Sequence, residues 1–257
     1  MSRIGIFIYG LACYAVFLVV FLYAVGFIGG FWTPTMLDGV PTLPLGTAVA
    51  IDLGLLALFA VQHSVMARPA FKRRWTRIVP EAAERSTYVL ASSLALVAMF
   101  ILWQPIGGVV WSVPAGAARM SILGLYAFGW LLLFYTTFLI DHFDLFGLAQ
   151  VWRNLTRRDY QPPQFHTPTL YRLVRHPLYI GWLTIIWAAP VMTSAHLLFA
   201  IMTTAYILIG IQLEERDLVD AFGEDYVAYR RRTPMLIPRL RAPSASDAHI
   251  ARKSGAV

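Results

Sequence analysis

The stretch that decides the fold is IGIFIYGLACYAVFLVVFLYAVGFIG, residues Ile4–Gly29. It carries no charged residue, and it exceeds the roughly 20 apolar residues that an α-helix needs to cross the hydrocarbon of a bilayer. It is also longer than the core of a signal peptide and lacks a small-residue cleavage site. We therefore interpret it as a retained transmembrane span, which predicts an integral membrane protein.

Five further apolar stretches continue this pattern along the chain. Three of them are long: Gly46–Met66, Ser86–Trp103 and Met120–Ile140. Two shorter ones, Leu178–Val191 and Ala195–Leu213, are separated by a short break and predict an antiparallel helical hairpin. The sequence thus predicts an all-α fold, a polytopic transmembrane helical bundle of five to six spans that ends in this hairpin. Whether the first arm of the hairpin crosses fully is left open.

The composition agrees with a bilayer environment. The chain is 58% hydrophobic and 14% charged, whereas soluble domains are roughly 45–50% apolar and about 25% charged. Its 257 residues allow one domain, which we place at residues 1–241, and the segment 242–257 has the character of a disordered tail. Cys13 is the single cysteine, so a disulfide within the chain or a cysteine-based metal site is excluded, and we expect no metal.

The positive charges are divided very unevenly between alternate loops. All 21 lysine and arginine residues except Arg119 fall on one side of the predicted bundle. The positive-inside rule places that side, with both termini, in the cytoplasm, and we expect a multi-pass protein of a bacterial inner membrane. The net charge of +7 then reflects orientation and lipid contact rather than a nucleic-acid partner. The sequence does not indicate an oligomeric state.

One motif that could carry chemistry is LVRHPLYIG, residues Leu173–Gly181. Pro177 stands at the start of the hairpin's first arm, where its missing N–H costs nothing. Backbone N–H groups just inside such a helix start can bind an anionic or polar ligand, and Arg175 and His176 stand at the same point. The alternative is a structural helix start with an interfacial arginine anchor.

A second motif is QLEERDL, residues Gln212–Leu218. Glu214 and Glu215 stand where the last apolar stretch ends, and carboxylates at a helix C-terminus oppose the macrodipole. They therefore need a partner, either Arg175 or a ligand amine. Because the hairpin returns this end beside His176, we expect both motifs to form one cytoplasmic cofactor site. A solvated helix extension is the alternative.

Ionisable residues also stand at the predicted cytoplasmic ends of the second and fourth spans. They are His63 at the second, and Asp141, His142 and Asp144 at the fourth. Ionisable residues at membrane depth are functional candidates, and Asp52, deeper in the second span, is another. The alternative for a lone histidine is a satisfied structural role.

Taken together, these motifs resemble a known superfamily. RHPLYIG at 175–181, the acidic pair and FGEDYVAY at 222–229 resemble the isoprenylcysteine carboxyl methyltransferases, membrane enzymes that use S-adenosylmethionine. The resemblance covers about Tyr171–Pro238. The chain without its tail is more similar to bacterial methanethiol S-methyltransferases, through QHSVMARP at 62–69, ERSTY at 84–88 and HFDLFG at 142–147. Membrane proteins of the NnrU type share the early part of this pattern.

The resemblance implies methylation of methanethiol to dimethyl sulfide, with S-adenosylmethionine as cofactor and a small volatile thiol as substrate. It assigns cofactor binding to His176, Tyr179 and Glu214 within residues 171–238. Further members of that site are Arg175, Glu215, Tyr226 and Tyr229. From their positions at the span ends, we expect His142 or His63 to be a catalytic base, with Asp141 or Asp144 orienting it.

The sequence leaves alternatives open for the acceptor and for the class of protein. The prenylcysteine enzymes resemble one another in carrying charge just ahead of the acidic pair, whereas Ile209–Gln212 carries none, which favours a small uncharged thiol. A methyltransferase of the same fold acting on another thiol or a carboxylate is the main alternative. A transporter or channel would need polar residues along a path through the membrane, but here they crowd at one face, and only Asp52 lies deep.

Overall fold

The computed structural model describes residues 2–159 and 165–238, which form a helical bundle. In chain order the elements are α1 Arg3–Gly29, α2 Leu45–Ala67, α3 Pro69–Trp75, α4 Glu81–Leu102, β1 Val109–Ser112, α5 Ala117–Ile140, α6 His142–Leu145, α7 Leu148–Leu155, a 3₁₀ turn Thr169–Arg172, α8 Pro177–Trp187, β2 Val191–Thr193, α9 Ser194–Phe222 and α10 Glu224–Arg232. Among them α1, α2, α4, α5 and α9 are long and apolar enough to cross a membrane. The predicted all-α polytopic bundle is confirmed, and the predicted disordered tail, 242–257, lies outside the described residues.

The last hairpin joins a short helix to a long one. α8 has 11 residues, which at 1.5 Å per residue extend about 16 Å, roughly half of the 30 Å hydrocarbon thickness. Pro190 follows it, and Val191, which we had placed in the same apolar segment, already belongs to β2. The first arm of the hairpin is therefore too short to cross a membrane as a helix.

α9 continues beyond its apolar stretch. Our segment ended at Leu213, but the helix runs to Phe222 and stops before Gly223, whose φ is 56°. Glu214 and Glu215 thus lie about two turns inside the helix, not at its C-terminus. The prediction that the two carboxylates oppose the macrodipole of α9 is therefore wrong, and their partners lie among neighbouring side chains.

The helix ends gather into two polar regions. We call one the basic end; it holds the start of α4, where Arg85 donates to the carbonyl of Leu145 at 2.8 Å. At the same end Arg68 pairs with Asp217 of α9 at 2.9 Å. We call the opposite one the ladder end, because β1 and β2 pair there as an antiparallel ladder. This ladder was not predicted, since it falls in the Gly- and Pro-rich loop and the hairpin turn.

A close contact between α8 and α5 fixes the position of α8 in the bundle. A Cβ atom on Gly181 of α8 would lie 3.0 Å from the carbonyl oxygen of Gly129 and 2.9 Å from the amide nitrogen of Leu133 in α5. Any side chain at Gly181 would push the two helices apart. The absence of one lets α8 lie directly on α5, which holds the start of α8 beside the last turns of α9.

Asp52 lies at the ladder end rather than beside the other candidates. It is fully buried, and its Oδ1 accepts a hydrogen bond from the backbone N–H of Gln104 at 2.8 Å. The carboxylate therefore ties α2 to the chain that leaves α4.

Candidate functional site

Glu215 is the centre of a buried charged cluster at the basic end. Its Oε1 accepts from Nε of Arg175 at 2.7 Å and lies 3.1 Å from Nε2 of His176. The side chains of Arg175 and Glu215 are each 11% exposed and that of His176 is 4% exposed. Because these partners lie on one oxygen, the charge of Glu215 is compensated inside the protein. The cluster joins the start of α8 to α9.

Arg175 also holds the chain that follows α10. Its Nη1 donates to the carbonyls of Thr233 at 2.5 Å and Arg230 at 3.2 Å. In addition, the backbone N–H of Arg175 donates to the carbonyl of Pro234 at 2.9 Å, and that of His176 to Met235 at 3.2 Å. The segment beyond α10 therefore lies across the start of α8, and this guanidinium is committed to holding the protein together.

Glu214 is placed differently from its neighbour. Its Oε2 accepts from the hydroxyl of Tyr179 at 2.9 Å and lies 3.9 Å from Nδ1 of His176. The side chain is 44% exposed, and an ionised carboxylate can accept about four hydrogen bonds. Glu214 consequently keeps acceptor capacity on its open side. Within the described residues, no side chain caps the start of α8 beside it.

Tyr226 and Tyr229 of α10 are buried beside this cluster. Both are buried, at 2% and 7% exposure, and their ring centroids lie 5.7 Å apart. Burial raises the pKa of Tyr229 to about 12, and it also raises the pKa of Tyr226, so both hydroxyls stay protonated at neutral pH. The Tyr229 hydroxyl donates to the carbonyl of Tyr171 at 2.5 Å, which ties α10 to the turn that precedes α8.

His142 is enclosed by α1 and α5. Its Nε2 lies 2.7 Å from the hydroxyl of Tyr14, its Nδ1 lies 2.7 Å from Oγ1 of Thr137, and its ring stacks on Phe138 at 4.2 Å. The residue is 2% exposed. Burial lowers its pKa, against a smaller opposing effect of Asp141. Both ring nitrogens thus have partners among neighbouring hydroxyl groups.

The predicted orienting carboxylates hydrogen-bond along the turn at α6. Asp141 has a φ of 132°, and its Oδ1 accepts from the backbone N–H of Asp144 at 3.1 Å. Oδ1 of Asp144 accepts from the amide of Gln150 at 3.2 Å. A cavity of about 370 Å³ opens beside this turn, lined by residues 138–143 and by His166.

His63 lies between α2 and α4. Its Nε2 lies 2.9 Å from the hydroxyl of Tyr88, its Nδ1 lies 3.2 Å from Oγ of Ser92, and its ring stacks on Phe59 at 5.1 Å. Unlike His142, it is only partly buried. Arg85 lies over the ring of Tyr88 at 5.0 Å from its centroid. His63 is therefore a partly buried residue whose two ring nitrogens have hydroxyl partners and which lies near a positive charge.

Tyr206 is a candidate that sequence reasoning missed. Its hydroxyl lies 3.2 Å from Oγ of Ser64, and its ring meets Phe59 with centroids 6.2 Å apart. Tyr206 precedes Glu214 by two intervals of four residues, so both lie on one face of α9. This spacing in the sequence could have identified Tyr206 as a site residue. It was missed because the whole apolar stretch was interpreted only as a membrane span.

Comparison with known proteins places the chain among its relatives. It is 52% identical over 238 residues to methanethiol S-methyltransferase of Crocosphaera subtropica, with 93% of each chain covered. It is 48% identical to the enzyme of that name from Mycobacterium tuberculosis, over 93% of this chain and 98% of the relative. This chain belongs to the methanethiol S-methyltransferase family. The resemblance carried by the motifs is thereby confirmed, and the protein is a methyltransferase.

A more distant relative shares most of the same chain. Nurim of Homo sapiens is 34% identical over 196 residues, which cover 73% of this chain and 72% of Nurim. No family model matches the chain, and no solved structure matches it.

The basic end of this methanethiol S-methyltransferase family member offers two adjoining surfaces. One is polar and is formed by Glu214, Tyr179 and the start of α8. The other is aromatic and is formed by Phe59 and Tyr206, with His63 at its edge. A methyltransferase must hold a methyl donor beside its acceptor, and a polar surface next to an aromatic one can bind two ligands of different character.

Proposed function

We propose that the protein transfers a methyl group from S-adenosylmethionine to methanethiol, giving dimethyl sulfide, at its basic end. The observation that carries this proposal is Glu214, a partly exposed carboxylate beside Tyr179 and an uncapped helix start. It occurs in a chain about half identical to proteins named methanethiol S-methyltransferase. We further propose that the basic end faces the cytoplasm of a bacterial cell.

The residues present fit such a methyl donor. When bound, S-adenosylmethionine supplies a methyl group on a positively charged sulfur, which is already a good electrophile. Glu214 can accept hydrogen bonds from an amino group, and the free N–H groups in the first turn of α8 can donate to a carboxylate. His176 is held by Glu215 and lies 3.9 Å from Glu214, so it keeps the Glu214 carboxylate beside the start of α8. Tyr226 and Tyr229 then act as supports rather than as direct contacts.

The remaining task of the protein is to position the acceptor. Alignment of two reactants can supply a large share of a rate enhancement. A thiol is a poor nucleophile and its thiolate a good one, so a base or a positive charge near the acceptor assists. The sequence offers His63 and His142 as bases. An aromatic, uncharged wall around the acceptor favours a small apolar thiol over a carboxylate.

A headspace assay tests this function directly. Purified protein, supplied with methanethiol and S-adenosylmethionine labelled in the methyl group, is expected to release labelled dimethyl sulfide. A prenylcysteine analogue and a charged thiol serve as competing acceptors and are expected to react poorly. A protein that methylates the prenylcysteine analogue and makes no dimethyl sulfide would contradict the proposal.

Reporter fusions test the proposed orientation. Fusions after Arg241 and within 153–158 are expected to report a cytoplasmic position, and a fusion within 107–117 a periplasmic one. The reason is the distribution of arginine and lysine, because Arg119 alone falls on the opposite side. A periplasmic C-terminus would reverse the proposed orientation.

A further inference from the structure

One face of α9 leads from Glu214 into the bundle. Tyr206, Gly210 and Glu214 follow each other at intervals of four residues, so they lie one above another along the helix. The hydroxyl of Tyr179, which donates to Glu214, lies 4.0 Å from the position that a Cβ on Gly210 would take. The middle of this face therefore carries no side chain, and polar or aromatic groups stand above and below it.

α2 brings further groups to the same face. The ring of Phe59 contacts both Tyr206, at 6.2 Å between centroids, and His63, at 5.1 Å. The hydroxyl of Tyr206 lies 3.2 Å from Oγ of Ser64. One turn after Ser64, at the end of α2, Arg68 forms an ion pair with Asp217 of α9 at 2.9 Å. These contacts hold α2 beside α9 both before and after Gly210 along the helix.

Tyr179 joins the proposed cofactor residues to this face of α9, because its hydroxyl donates to Glu214 and lies 4.0 Å from the position of a Cβ on Gly210. On the α2 side, the ring of Phe59 contacts both Tyr206 and His63. Tyr88 in turn holds His63 through its hydroxyl at 2.9 Å. A ligand at Gly210 would therefore lie between the polar surface at Glu214 and the imidazole of His63.

We propose that the space at Gly210, bounded by Tyr179, Tyr206 and Phe59, binds the acceptor thiol, and that His63 takes its proton. This rests on the proposed function, whose acceptor it places. A small apolar thiol suits the space because its walls are aromatic and Gly210 contributes no side chain. A larger or charged acceptor would have to displace a ring or lose its hydration without a partner.

The reaction balances with these groups alone. The S–H bond of the thiol breaks, its proton passes to a ring nitrogen of His63, and the electron pair stays on the sulfur. That sulfur forms a bond to the methyl carbon as the carbon's bond to the donor sulfur breaks and leaves its electron pair on the donor. His63 then releases the proton to water at the basic end.

His142 is less suited to this role. As in His63, both of its ring nitrogens have hydroxyl partners, but here these are Tyr14 of α1 and Thr137 of α5 rather than residues of α4. The cavity beside it is lined by residues 138–143 and His166, not by α8 or α9. A methyl group held near Glu214 would thus face the His63 side of α9 rather than this cavity. We assign His142 to holding α5 against α1.

Substitution of the two histidines separates these roles. His63→Gln keeps hydrogen-bonding capacity toward Tyr88 and Ser92 but cannot take a proton at neutral pH. Its turnover is expected to fall roughly 10²-fold or more and to recover partly at alkaline pH, where the free thiol ionises by itself. His142→Gln is the matched comparison, expected to lose stability and to keep turnover per folded molecule.

A second readout needs no methyl donor. Thiolates absorb in the ultraviolet where thiols do not, so mixing the wild-type protein with a small thiol is expected to give a thiolate signal at neutral pH. His63→Gln should lose the signal and His142→Gln should keep it, with S-adenosylhomocysteine affinity unchanged in both. A normal signal and normal turnover in His63→Gln, or their loss in His142→Gln instead, would overturn the assignment.

Filling the space tests its location. Gly210→Leu is expected to raise KM for methanethiol and to raise it more for longer thiols, whereas Gly210→Ala should have a small effect. Gly54→Ala and Gly54→Leu are matched controls, because Gly54 lies exposed on α2 with no neighbour within 4 Å of its added Cβ. An unchanged KM in Gly210→Leu would refute the acceptor site. If the wild-type protein makes no dimethyl sulfide, the proposed function itself fails.

Discussion

The hairpin of α8 and α9 carries a buried histidine beside a carboxylate at each of its two ends. At the basic end His176 lies 3.1 Å from Oε1 of Glu215. At the ladder end Nδ1 of His196 lies 3.7 Å from Oδ2 of Asp38, and its Nε2 lies 3.0 Å from the carbonyl oxygen of Ile186. The two histidines are 4% and 3% exposed, so burial and pairing alone do not distinguish them.

The two ends differ in whether a carboxylate keeps hydrogen-bonding capacity that no group of the protein uses. At the ladder end the hydroxyl of Thr193 donates to Asp38, so both oxygens of that carboxylate face groups of the protein. At the basic end there are two carboxylates, and the buried donors converge on Glu215. Glu214 keeps one hydroxyl partner and an open side. We therefore propose that a surplus carboxylate, rather than a histidine–carboxylate pair, marks the binding site for the methyl donor.

The largest expected effect is a difference in the free energy of unfolding when a carboxylate is removed from each end. Glu215→Ala leaves the buried charge of Arg175 without its partner, which costs roughly 3–5 kcal/mol. Asp38→Ala removes a partly exposed carboxylate, for which about 1 kcal/mol is expected. Unfolding of both variants in detergent measures the difference. Equal losses would show that the two ends are alike and would break the comparison.

The next effect concerns ligand binding rather than folding. Glu214→Gln removes a charge-assisted acceptor and is expected to weaken binding of S-adenosylhomocysteine by about 1.5–3 kcal/mol, or roughly 10- to 100-fold. Asp38→Asn, the matched change at the ladder end, should leave that affinity unchanged. Calorimetry on both variants gives the answer. Unchanged affinity in Glu214→Gln would remove this carboxylate from the site.

Much of this arrangement could be predicted because it follows from local pattern. The apolar stretches fix the helices, and the position of Arg119 opposite the other cations fixes which ends share a side. The break between the last two stretches returns Glu215 to His176. These inferences need only hydrophobic length, charge count and the connectivity of a hairpin.

The division of work between Glu214 and Glu215 could not be predicted. Adjacent residues on a helix point about 100° apart, and only packing against α8 decides which of them is buried. The contacts of His142 with Tyr14, 128 residues away, and of Arg175 with Thr233 are equally nonlocal. The continuation of α9 to Phe222 was missed because its last turns are polar and are held by neighbours such as Arg68. The β1 and β2 segments show no alternation of apolar and polar residues, so the sequence did not predict their pairing.

A third buried histidine gives the smallest expected effect and tests whether burial alone is costly. Burial lowers the pKa of His142 below its ordinary value, which is about 6.5. As the pH falls through that value, the unfolded chain takes up a proton that the folded protein refuses, so the folded state loses stability. Above it, this residue contributes no pH dependence. The wild-type protein should therefore lose more stability than His142→Gln between about pH 7.5 and pH 5.5, because glutamine does not titrate. Thermal unfolding of both proteins across this range measures the difference, in which the contributions of the shared carboxylates cancel. Parallel pH profiles would mean that the Tyr14 and Thr137 contacts hold the ring equally well when it is charged, and burial of a histidine would then carry no cost at this site.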